Sequence, residues 1–276
     1  METTIDHVPY ACSDLEEMAR TFERLGLTPE YGGVHDNGVT HMSILGFEDG
    51  SYLELISERE RGGHDFWPEH IRGDAGPAAW CVRVPDIVAT CRRMLESGLA
   101  VQGPVYGSRE RDDGRLVEWD VATFGTHAKR LVHPFAIEDR TPHSLRASPT
   151  PSVAGGPLTG IGQVVLGVHS LDASVGLFRE SYRFPRPVRE DVPGFGEVAS
   201  FPGRPLALAS GTSADWLADR LDRFRECPCS CLLATPDLDA AMDAFPLSDP
   251  TVWPDGRVAF FEGEDLGYRL GVVERD

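Results

Sequence analysis

Ile5–Gly26 reads IDHVPYACSDLEEMARTFERLG, and Ser51–Ser57 reads SYLELIS. The first stretch is a short strand carrying His7, then an amphipathic helix with Asp14 as its N-cap and Gly26 as its stop. Strands near Tyr31–His35, Val39–Phe47 and Ser51–Ile56 complete a βαβββ unit, with Glu54 on its last strand. If first and last strands lie side by side, His7 and Glu54 present an imidazole and a carboxylate together, which suits borderline divalent metals. Side chains alternate along a strand, so each face can be assigned. Leu53 and Leu55 pack inward, which turns Tyr52 and Glu54 to a cavity. On the strand before it, Met42 and Ile44 are expected to pack toward the helix, turning His41 and Ser43 to the same cavity as His7. A carboxylate set between two leucines needs a strong partner.

The same unit repeats along the chain. A second begins at AAWCVRV, caps its helix at Asp86, and continues through LVEWDVATF and KRLVHPFAI. A third begins at IGQVVLGV with a cap at Ser170, followed by strands near Gly196–Phe201 and Pro205–Ala209. The fourth begins at CPCSCLLAT with a cap at Asp237 and ends in RVAFFEGED and GYRLGVVER. Ser148–Gly160 (SPTPSVAGGPLTG) is rich in Pro, Gly and Ser and marks a linker. Two halves follow, about 1–147 and 158–276, each a pair of units. Ser213–Glu226 spaces Trp216, Leu217, Leu221 and Phe224 as an extra helix. Glu58–Gly76 is a long polar insertion, either a cover for a cavity or a solvated linker.

This order, with Asp6-His7, a G-G-x-H segment (Gly32, Gly33, His35) and Y-L-E-L (Tyr52 to Leu55), resembles the vicinal oxygen chelate superfamily. Within it the likeness is to glyoxalase-like domain proteins. The resemblance implies an α+β fold of repeated βαβββ modules, glyoxalase/extradiol dioxygenase-like, here four modules in two pairs. It also implies a divalent metal, Fe, Mn, Zn or Ni, held by His7, Glu54 and a third ligand, His41 or His133. His133 is expected near the place that matches Glu54, while Ala79 stands where His7 stands in the first unit. Tyr52 and Glu54 are the catalytic candidates, with Tyr52 donating to a substrate oxygen. Ser43, His35 and Arg109 are candidates for binding substrate. Arg109 lies in GSRERDDGR, which also reads as a solvated mixed-charge hairpin. A lyase, isomerase or dioxygenase step on a small oxygenated metabolite fits these residues. So does a non-catalytic protein that sequesters a small molecule. Gln163 and Ser230 hold the place of His7 in the third and fourth units, whose last strands offer no carboxylate. The second half is therefore expected to be structural, a homodimer surface, or a lid.

The charge of −18 argues against nucleic-acid partners, which need basic groups on phosphates. Lys129 is the only lysine among 26 basic residues. Acid excess of this kind points to a salt-accumulating source, and arginine bias from a GC-rich genome is the other reading. No apolar run is long enough for a membrane span, and no secretory signal is visible, so a cytoplasmic protein is expected. Cys227, Cys229 and Cys231 alternate, which predicts one strand face of small core residues rather than a zinc site. No nucleophile elbow, P-loop, dinucleotide fingerprint or H-E-x-x-H is present.

Overall fold

The computed structural model describes residues 4–63, 66–111, 113–126, 131–210, 214–263 and 266–275. Parts of the predicted strands KRLVHPFAI and RVAFFEGED, of the insertion and of the extra helix lie outside those residues. The chain forms β1 (Thr4–Ala11), α1 (Leu15–Arg24), β2 (Glu30–Val34), β3 (Thr40–Gly46) and β4 (Tyr52–Glu58). After α2 (Pro68–Arg72) and β5 (Gly76–Pro77) come β6 (Cys81–Arg83), α3 (Ile87–Glu96), β7 (Val101–Glu110), β8 (Leu116–Phe124), β9 (Phe135–Asp139) and α4 (His143–Arg146). The pattern then recurs as β10 (Gly160–Val168), α5 (Leu171–Ser181), β11 (Val188–Val192), β12 (Gly196–Ser200) and β13 (Leu206–Ser210). Following α6 (Asp215–Phe224), it ends with β14 (Cys227–Thr235), α7 (Leu238–Ala244), β15 (Thr251–Trp253), β16 (Gly256–Phe260) and β17 (Leu270–Glu274). This is the α+β arrangement of paired βαβββ modules.

Each repeat starts its helix by the same local device. The side chains of Asp14, Asp86, Ser170 and Asp237 accept from the backbone N–H three residues on, in Glu17, Ala89, Ala173 and Ala240. A cap of this kind contributes about 1 kcal/mol. Gly26 and Gly98 follow α1 and α3 at φ 84° and 81°, the left-handed region that ends a helix cheaply only at glycine.

Strand order in the first sheet is β2-β3-β4-β1-β6-β9-β8-β7, with β5 on β1; the second runs β11-β12-β13-β10-β14-β17-β16-β15. In each, the first strand of one module pairs antiparallel with the first strand of the next, β1 with β6 and β10 with β14. Each sheet curls strongly. In the first, the edges β2 and β7 meet, since Arg109 of β7 donates to the Gly32 carbonyl and the Ser108 N–H to Asp36 at 3.4 Å.

The convex faces of the two sheets share one apolar core. It takes in the buried sides of the four repeat helices, with Phe22, Met94, Phe178 and Leu238 among them. Arg220 of α6 ties the halves together, donating to the carbonyls of Ala75, Pro77 and Pro228. The concave side of the second sheet is solid. Phe195, Trp253 and Phe260 from its strands and connections meet Leu217 and Leu221 of α6 there. Gln163, which holds the place of His7, donates to Ser200 at 2.8 Å and accepts from the Trp253 indole at 2.7 Å.

All six cysteines are free and buried. Cys227, Cys229 and Cys231 do not share one strand face as the alternation predicted. The β10/β14 register shifts between Ser230 and Pro228, and the bulge turns Cys229 into the concave core while Cys231 joins the convex one. Burial pushes the Cys229 thiol up to about 12, which keeps it protonated. Among the described residues, no helix is long and apolar enough to cross a membrane.

Candidate functional site

The first sheet differs from the second in leaving its concave side open. A cavity of about 320 Å³ lies there, within the size range of small-ligand pockets. Its walls come from both modules and from the insertion. His7, Tyr52 and Glu54 lie on β1 and β4, Phe135 and Ile137 on β9, Trp119 and Val121 on β8, Arg109 on β7, and Phe66 and Trp67 ahead of α2. Trp67 adopts φ 47°, a left-handed conformation costly for a bulky residue, and its ring comes 6.2 Å from that of Phe135. The insertion between the first two units therefore supplies cavity wall; His64 and Asp65 lie outside the described residues.

At one end of the cavity, Glu54 is flanked by two imidazoles. Its Oε2 lies 3.7 Å from His7 Nε2 and its Oε1 lies 3.3 Å from His35 Nε2. Parallel pairing of β1 with β4 brings the first contact about, because Pro9 stands opposite Glu54 and His7 opposite Tyr52. The second depends on the turn after β2. Asn37 accepts from the backbone of Val39 and Thr40, and the Thr40 hydroxyl meets His35 Nδ1 at 2.9 Å, which orients the ring. Burial alone would raise the Glu54 carboxyl, but His35, His7 and Arg109 together hold it below its ordinary value, so it is ionised.

Behind His7 stands a buried ionic network. Asp6, fully buried, contacts His7 Nδ1 at 2.6 Å and accepts both terminal nitrogens of Arg146, at 2.6 and 2.7 Å. Arg146 also donates to Asp139 at 2.7 Å and to the Tyr52 hydroxyl at 2.9 Å, and Tyr52 stacks on His7 at 4.7 Å. Burial would raise the Asp6 carboxyl too, but Arg146 and His7 hold it far below the usual range. When the His7 ring carries one proton, as a metal ligand must, an ionised Asp6 holds that proton on Nδ1 and leaves the lone pair on Nε2, toward Glu54. A lone pair and a carboxylate 3.7 Å apart leave room for a cation between them. Two imidazoles and one carboxylate are a donor set for Fe²⁺, Mn²⁺, Zn²⁺ or Ni²⁺, with a carboxylate partner already behind one imidazole. The three ligand atoms are not all within 4.8 Å of one another, so binding a metal would draw the side chains inward. Asp6, His7 and Cys81 do crowd within that distance, but both Asp6 oxygens already accept from Arg146.

The sequence of this chain matches the family model described as glyoxalase-like domain over residues 5–181, the whole first sheet and the start of the second. The protein belongs to the glyoxalase-like domain family. It is thereby a member of the vicinal oxygen chelate superfamily. A search of curated proteins finds no match. Among solved structures, this glyoxalase-like protein is similar in fold to a hypothetical protein from Staphylococcus aureus, at 14% identity and TM-score 0.62, covering 85% of this chain and 92% of that one. It is also similar to a xylose isomerase-like TIM barrel/4-hydroxyphenylpyruvate dioxygenase fusion protein, at 14% identity and TM-score 0.56, covering 99% of this chain and 48% of that one. A third similar fold is a mutant of 4-hydroxymandelate synthase from Streptomyces coelicolor, at 10% identity and TM-score 0.54, covering 88% and 74%.

The glyoxalase-like site departs from the sequence expectation in three places. His41 and Ser43 do not face the cavity. Antiparallel register sets Ser43 opposite Leu55 and His41 opposite Ser57, on the helix side, while Ile44 stands opposite Glu54 and Met42 lines the cavity. The pattern misled because this cavity wall is itself apolar, so Met42 and Ile44 carry no mark of which side they face. His133 does not match Glu54 either. Parallel register sets Cys81 opposite Phe135, as Pro9 is opposite Glu54, so Phe135 takes that place. His133 instead meets the Tyr182 hydroxyl at 2.9 Å in the core between the sheets. Of the two readings of Arg109, the solvated hairpin does not hold, since Arg109 is only 6% exposed and lines the cavity, whereas Arg111, Asp113 and Arg115 do form the turn. His35, first read as a substrate contact, is the imidazole that reaches Glu54. Trp67, Trp119, Arg146 and Asp6 were missed as site residues; only the adjacency of Asp6 to His7 offered a local signal.

Proposed function

We propose that this protein is a divalent-metal-dependent enzyme acting on a small oxygenated compound, by a lyase, isomerase or dioxygenase type of step. The observation that carries the reading is the Glu54 carboxylate between the facing nitrogens of His7 and His35, at one end of the cavity. His7, His35 and Glu54 would hold the metal. When bound, it supplies Lewis-acid or redox chemistry to substrate oxygens. The protein's own groups do the rest. Asp6 fixes the His7 ring, and aromatic walls exclude water. The Tyr52 phenol is kept protonated by burial and already accepts from Arg146, so its proton is available to a substrate oxygen.

A second reading is favoured by Ala79 and Phe135. These apolar residues line the cavity at the places where the second module would match His7 and Glu54. A cavity with one polar end and such walls also suits a protein that holds a small molecule without turnover. Elemental analysis of protein purified at high salt, beside His7→Ala, His35→Ala and Glu54→Ala, separates the two. A near-stoichiometric transition metal, lost from the variants, supports the enzyme. No metal in the wild type after adding back Mn²⁺, Fe²⁺, Ni²⁺ and Zn²⁺ would sink it and leave the binding role.

A further inference from the structure

Two arginines line the cavity, and their surroundings differ. Arg146 is matched by Asp6 and Asp139. Arg109 is 6% exposed and, among the described residues, donates to two backbone carbonyls, those of Gly32 and Arg146. A guanidinium carries five N–H donors. The two carbonyls account for two of them, and no carboxylate lies in hydrogen-bond reach of the rest among the described residues. Burying such a cation costs free energy unless an anion meets it. Glu54 is near enough for each to act on the other, but a metal on His7, His35 and Glu54 would claim that carboxylate. The remaining wall is mainly apolar, with Phe66, Trp67, Trp119, Phe135 and Ile137 outweighing the polar Gln102 and Thr123.

Arg109 also sits where the curled sheet closes. Its bond to Gly32 joins the edge strands β2 and β7, and it borders a second, polar cavity of about 250 Å³ on its outer side. A guanidinium between an aromatic chamber and a polar outer one is placed to receive the charged end of a molecule whose body lies inside.

We propose that the ligand of this cavity is a small organic anion with an apolar, ring-sized body, its carboxylate received by Arg109. The proposal names the substrate class of the site described above and rests on that reading only for the claim that the ligand is also a substrate. Phenylacetate and its neutral isostere phenylacetamide are suitable probes, titrated calorimetrically into the full chain. The wild type should prefer the acid by about tenfold or more, the size of one charge-assisted hydrogen-bond pair. Arg109→Gln should bring the two probes to equal affinity, and Arg109→Lys should keep part of the preference. A thermal melt checks that the variants fold; the acid-to-amide comparison in the wild type needs no variant. Equal binding of both probes by the wild type, or binding of neither, overturns the proposal. So does a preference that survives Arg109→Gln. The comparison is repeated after chelation and in His7→Ala. A preference lost on chelation but indifferent to Arg109→Gln assigns the anion to the metal, which refutes Arg109 and leaves the metal reading standing. A preference that needs Arg109 in protein that never holds metal does the reverse.

Discussion

Replacing Asp6 by Asn tests the network behind His7 most directly. The change keeps shape and volume but removes one charge and turns one acceptor into a donor. Asp6 accepts two bonds from Arg146 and one contact from His7, all at 2.6–2.7 Å, with no solvent access. Whichever way the amide is turned, its NH₂ faces a donor: Arg146 and His7 together, or the other Arg146 nitrogen alone. Breaking a buried ion pair by removing one partner costs about 3–5 kcal/mol. Arg146 retains Asp139 and Tyr52, which puts the expected loss at the low end, about 3 kcal/mol, or roughly 6–12 °C in melting temperature for a chain of this size. Urea unfolding near neutral pH at fixed ionic strength measures it. The pH dependence is a second check. The folded-state carboxyl lies below its unfolded value of about 3.9, so its stabilisation is complete above that pH and fades as pH falls toward the folded value. The gap between wild type and variant should therefore narrow below about pH 4. Metal affinity should fall as well, by about 10–100-fold, because the partner that orients His7 is altered. A loss under about 1 kcal/mol near neutrality, or a gap that stays constant into acid, would refute the account of Asp6 as the buried counter-charge.

Other expectations follow from the same geometry. His41→Ala and His133→Ala should each leave metal content unchanged, because one ring lies on the helix side of β3 and the other meets Tyr182; loss of metal in either would place the centre elsewhere. Phe195→Ala should cost about 3–5 kcal/mol, since its ring is fully buried in the second concave core. That variant should retain the metal content of the wild type, and metal loss without unfolding would mean that the second half shapes the first cavity. Thr40→Val should weaken metal binding and cost about 1–3 kcal/mol, because it removes a buried hydroxyl that meets both His35 and Asn37; unchanged affinity would refute the role of Thr40 in orienting His35.

Local sequence was enough for the repeat. Four Asp or Ser caps, the glycine stops and the strand periods are properties of a few neighbouring residues, and the backbone obeys them unit by unit. The parallel neighbours β1 and β4, and so the approach of His7 to Glu54, follow from the unit itself once it is recognised. What lay beyond the sequence was register and curl. One residue of register decides the face of every side chain on β3, and an apolar cavity wall hid the choice from hydrophobic patterning. Arg109 reaches Gly32 from 77 residues away because the sheet bends its edges together, and Arg146 reaches Asp6 from 140 away because the helix after β9 folds back on the central strand β1. No periodic signal encodes that bend. His35 reached Glu54 through a turn whose side-chain bonds form only once β2 and β3 are paired. The sequence determined the modules and the approach of His7 to Glu54; the tertiary structure decided which charged and aromatic groups converge on them, because that convergence is set by packing between distant strands.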